Sequence, residues 1–76
     1  MATVEKRSVT IRGHRTSFSL EQPFYDDLVA IATERSLSLA ALVAEIDETR
    51  PRDANLSSAL RLHVLAWAKR GASRPD

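Results

Sequence analysis

The sequence predicts a mainly α-helical domain that opens with a short β-ribbon. Three observations carry that expectation. Arg15-Thr16-Ser17-Phe18-Ser19-Leu20 alternates polar and apolar residues, the period of a strand. It runs without a loop into the first of three segments whose apolar residues recur every three or four positions. Nothing after residue 20 reads as a strand, so the backbone groups of this one need a partner upstream or on a second copy of the chain.

The strand region is expected over residues 7–20, behind a flexible basic arm over residues 1–6. Val9 and Ile11 alternate with Ser8, Thr10 and Arg12. A type II′ turn at Gly13-His14 would fold them back, with Val9 opposite Phe18, Ile11 opposite Thr16 and Arg7 opposite Leu20. That register gathers the apolar residues on one face. The alternative is pairing between two chains, which makes a two-stranded ribbon of the kind that enters a DNA major groove. Both pairings stay open on the sequence.

A first helix is expected over residues 21–35. Pro23 falls in its first turn, and Phe24, Leu28, Ile31 and Ala32 make its apolar stripe. Ser38 caps a second helix over 38–49, striped by Leu39, Leu42, Val43 and Ile46 and ended by Pro51. Asn55 caps a third over 55–70, with Leu56, Leu60, Val64 and Trp67 on one face. Leu62 and Leu65 widen that face beyond the need of one small core, which points to a dimer. Gly71 sits where a helix C-terminus is expected, ahead of a tail over 71–76.

Size and charge bound the function. Seventy-six residues make a single domain over 1–76 that is marginal alone, and the chain has no cysteine to staple it. Oligomerisation is the remaining stabiliser. His14 and His63 lie far apart, so neither a metal nor another cofactor is expected. No run is apolar enough for a membrane span or a secretory signal, and the expected location is cytoplasmic. Residues 1–20 hold four bases against Glu5, a net charge of +3, whereas residues 21–50 hold seven acids against two bases, a net of −5. A basic end on an acidic body suggests that the N-terminal end faces phosphates, through Lys6, Arg7 and Arg12. An enzyme is not expected: Asp26-Asp27 and Asp47-Glu48 are helix neighbours that cannot face one another as acid and base.

The stretch from Arg15 to Glu21, with Phe24, Leu28, Ser36-Leu37-Ser38-Leu39 and Ile46, resembles the ribbon-helix-helix family of bacterial DNA-binding proteins. Arg7-Ser8-Val9-Thr10-Ile11, Gly13 to Ser17 and Asn55 to Arg61 resemble a subgroup with an extra C-terminal helix. The resemblance implies an intertwined homodimer whose paired strands dock in the major groove of double-stranded DNA, as a transcriptional regulator and repressor. By strand parity it implies Arg15, Ser17 and Ser19 as base contacts. The N-terminus of the second helix, at Ser38 and Leu39, would hold a phosphate. Phe18, Leu20, Leu28, Leu42, Ile46 and Trp67 are expected in the dimer core. The alternative is a protein-interaction or antitoxin-like dimer whose helices bind a partner protein.

Overall fold

Strand β1 (Val4–Ile11) and strand β2 (His14–Glu21) pair antiparallel within one chain, and three helices follow. The computed structural model describes residues 3–72. Arg12 and Gly13 form the two-residue turn, both in the left-handed region with φ +50° and +79°. Positive φ at both central residues is the type I′ arrangement, whose twist matches the flanking strands. The register is therefore Ile11↔His14, Val9↔Thr16 and Arg7↔Phe18. This corrects the expected turn at Gly13-His14. Glycine serves as the second central residue instead of the first, and the pairing slides by two positions. A slide of two preserves the face of every side chain. Strand β1 also begins at Val4, so Val4, Glu5 and Lys6 are strand residues where a flexible arm was expected.

Helix α1 (Gln22–Glu34) starts on the residue after β2, with Pro23 in its first turn. It ends in a Schellman arrangement: Leu37 N–H reaches the Ala32 carbonyl (2.8 Å), Ser36 N–H reaches that of Thr33 (3.1 Å), and Ser36 takes φ +57°. Helix α2 (Leu39–Thr49) is capped by Ser38, whose hydroxyl accepts from Ala41 N–H at 3.0 Å. Helix α3 (Leu56–Ala72) is capped by Asn55, which accepts from Ser58 N–H at 2.8 Å. Gly71 lies inside α3, so the helix outruns the expected end at residue 70. None of these helices is long and apolar enough to cross a membrane.

The core is shared evenly among the parts. The hairpin buries Ile11, Phe18 and Leu20; α1 buries Leu28, Ile31 and Ala32; α2 buries Leu42, Val43 and Ile46; α3 buries Leu56, Leu60 and Val64. Each fully buried leucine or isoleucine contributes about 1.5–3 kcal/mol. Phe18, Leu20, Leu28, Leu42 and Ile46, expected between two chains, are thus buried inside one. The physical reason is α3, which packs on α1, α2 and β2 and covers the side a second copy would otherwise have to close. Trp67 is only half-buried, packed against the edge of this core.

Candidate nucleic-acid interface

The hairpin has two faces, set by the alternation of its strands. Ile11, Val9, Phe18 and Leu20 turn inward onto the helices. The opposite face carries the pairs Thr10↔Arg15, Ser8↔Ser17 and Lys6↔Ser19. Lys6, Ser8, Thr10, Arg15 and Ser17 are all exposed. Two cations and three hydroxyls therefore share one surface, and among the described residues no carboxylate interrupts it. The nearest acid of that parity, Glu21, lies at the far end and accepts from Arg61 Nε at 2.9 Å. This hydrogen bond is the chief reason its carboxyl is held below the usual range.

Arg15 and Ser17, expected as base contacts, sit together on this open face. Ser19 shares their parity but is half-buried at the margin against α3. Its N–H donates to Ser57 Oγ at 2.9 Å, and its carbonyl accepts from Arg61 Nη2 at 3.3 Å. The expected phosphate contacts divide. Lys6 is exposed on the same face as Arg15. Arg12 is exposed at the hairpin turn, where it meets Glu48 at 3.0 Å. Arg7 is on the wrong face for the role expected of it. Its guanidinium lies 3.6 Å from the centre of the Tyr25 ring and donates to Gln22 Oε1 at 2.8 Å. Its parity with Val9 and Ile11 turns it inward, which corrects the expectation of a phosphate contact.

Ser38 spends its hydroxyl on the cap of α2, while Leu39 opens the first turn with its backbone N–H. Two residues of the open face, Ser8 and Thr10, are not among the site residues expected from the sequence. Their alternation with Val9 and Ile11 is the signal that places them beside Arg15 and Ser17. Ser57 and Arg61 are likewise unexpected as supports of β2. They lie about 40 positions away in sequence, and only the packing of α3 brings them to the strand edge.

Arg35, at the end of α1, grips Glu45 of α2 with two hydrogen bonds, one of them 2.9 Å. That contact lowers the Glu45 carboxyl and raises the Arg35 guanidinium from their ordinary values. His63, nearby on α3, is lowered by burial and then by the Arg35 charge.

No curated protein and no solved structure matches this chain. A family model described as a ribbon-helix-helix domain matches residues 4–68, from the first residue of β1 to the last turns of α3. A ribbon with a polar outer face, the helices packed behind it and that match together place the chain in the ribbon-helix-helix family of DNA-binding regulators.

Proposed function

We propose that the protein binds double-stranded DNA as a homodimer in the cytoplasm and acts as a transcriptional repressor by occupying its site. The outer face of the hairpin carries this reading. Its strands lie ~4.8 Å apart, a width that a major groove of about 12 Å admits. Arg15 and Ser17 reach base edges from it, with Ser8 and Thr10 beside them. Lys6, Arg12 and the N-terminus of α2 at Ser38 and Leu39 hold phosphates. Ser19 adds a contact only at the margin.

The test is a titration of a mixed-sequence DNA duplex across a range of salt concentrations. Binding should weaken steeply with salt, and Lys6→Ala should lower the slope by about 1 for each phosphate that the lysine neutralises. Absence of binding at low salt would overturn the proposal. A second reading, in which the dimer binds a partner protein, is favoured by Leu62 and Leu65. These remain 63% and 46% exposed on α3.

A further inference from the structure

We propose that Glu48 restrains Arg12 and so sets the affinity of the hairpin for DNA. In the free protein the Glu48 carboxylate holds the Arg12 guanidinium against α2, and the pair opens when a phosphate takes the place of the carboxylate. This restraint rests on the DNA-binding reading above and names a residue that works against binding.

Helix α2 carries three carboxylates, Glu45, Asp47 and Glu48, all in its C-terminal half, and no base. That half ends at the negative pole of the helix dipole, where a carboxylate is unfavourable. Each is met by an arginine from outside the helix. Arg35, the residue after α1, takes Glu45, and Arg50, the residue after α2, takes Asp47. Arg12, in the hairpin turn, takes Glu48 at 3.0 Å. The first two arginines are tied twice. Arg35 makes two hydrogen bonds to Glu45, and Arg50 also donates to the Ala54 carbonyl. Among the described residues Arg12 makes one side-chain bond, through Nη2. Its pair is the most open of the three, with side chains 57% and 69% exposed against at most 46% in the others. Arg12 is also the only one of these three arginines on the hairpin, three residues ahead of Arg15.

The pair is built to exchange. Two exposed charges hold each other weakly, because water competes for both. A phosphate offers the planar guanidinium two oxygens in the fork geometry it favours. The carboxylate left behind is not stranded. Arg52 lines the same cleft as Glu48, together with Asp47 and Arg50. It is exposed and has no hydrogen bond or ion pair among the described residues, so it is free to take Glu48 when Arg12 leaves.

The test is Glu48→Gln, which keeps the shape of the side chain and removes its charge, titrated with a mixed-sequence DNA duplex at several salt concentrations. Affinity should rise about twofold to fivefold for each copy in the homodimer, the worth of an exposed ion pair. The salt dependence should steepen by up to about 1 per copy, because no carboxylate is then freed to take a cation back from solution. The denaturant midpoint should hardly move. In an Arg12→Ala background Glu48→Gln should gain little. An equal gain in that background would overturn the proposal, since Glu48 would then act as a distant repelling charge. So would a Glu48→Gln protein with the affinity and salt slope of the wild type, or one that melts earlier without binding more tightly, which would make the pair a structural tie. A wild-type protein that fails to bind the duplex at low salt would instead remove the DNA-binding reading itself.

Discussion

The backbone N–H of Ser19 donates to the hydroxyl of Ser57 across 38 positions of sequence, at 2.9 Å. This bond joins the last strand residues to the first turn of the last helix. It makes α3 a structural part of the ribbon rather than an appendage. Ser57→Ala removes the acceptor and leaves a half-buried N–H to water, so it should lower stability by about 1 kcal/mol. The amide of Ser19 should then exchange faster with solvent by NMR. An unchanged exchange rate would show that α3 does not hold this edge.

Among the described residues, two that bear side chains sit at positive φ, Arg12 in the hairpin turn and Ser36 at the end of α1. An L-residue there costs roughly 1–2 kcal/mol. Arg12→Asn places the favoured first residue of a type I′ turn before Gly13, and Ser36→Gly relieves the Schellman position. Each should raise stability by about 0.5–1 kcal/mol in denaturant melts, and the two should add because the sites share no contacts. The ion pair of Arg12 with Glu48 subtracts little, since both side chains are more than half exposed.

Phe18 is 3% exposed and lies among residues from all three helices. Phe18→Ala should cost about 3–5 kcal/mol, a large share of the stability of so small a domain. A loss below about 1 kcal/mol would mean that the strand parity is reversed.

Much of this architecture is legible in the residues alone. Alternation places Phe18 and Leu20 inward and Arg15 and Ser17 outward, because strand parity is a local property. Ser38 and Asn55 announce their helices through side chains that accept from the backbone. The turn differs from expectation by one residue because Gly13 fits either central position, and the energy of a left-handed Arg12 is invisible in the letters. The self-contained core is not legible either. Whether Leu60 and Val64 cover their own chain or another depends on where α3 docks, a long-range outcome. Charge alone assigns Arg7 to phosphate, although its parity with Val9 and Ile11 already points it inward.

His63 provides a pH test. Burial and the neighbouring Arg35 lower its pKa from an ordinary value near 6.5. The unfolded chain therefore binds a proton at His63 before the folded one does. Its contribution to stability is complete above pH 6.5 and is lost as pH falls through that value towards the folded pKa. Glu21 and Glu45 are lowered from 4.5, so their contributions are lost only at more acid pH. Unfolding free energy should rise with pH just below neutrality, and His63→Gln should flatten that rise. A slope unchanged by the substitution would assign the titration elsewhere.

Arg7 and Arg15 offer a paired test of the interface, because the hairpin turns them to opposite faces. Arg7 is stacked on Tyr25 and hydrogen-bonded to Gln22, with its Nε buried and unpartnered among the described residues. Arg15 is exposed opposite Thr10, on the surface shared with Lys6, Ser8 and Ser17. Arg7→Ala should therefore lower stability by about 1–2 kcal/mol, since it removes the stacking, the hydrogen bond to Gln22 and the ion pair with Glu5, and leave DNA affinity nearly unchanged at temperatures where the protein stays folded. Arg15→Ala should do the reverse. It should leave the denaturant midpoint in place and weaken binding to a preferred duplex by about 1–3 kcal/mol, the value of a good bidentate base contact. Paired melts and binding titrations at matched salt measure both quantities on the same samples. If Arg7→Ala weakened binding while Arg15→Ala left it intact, the DNA-facing side of the ribbon would be the one assigned here to the core.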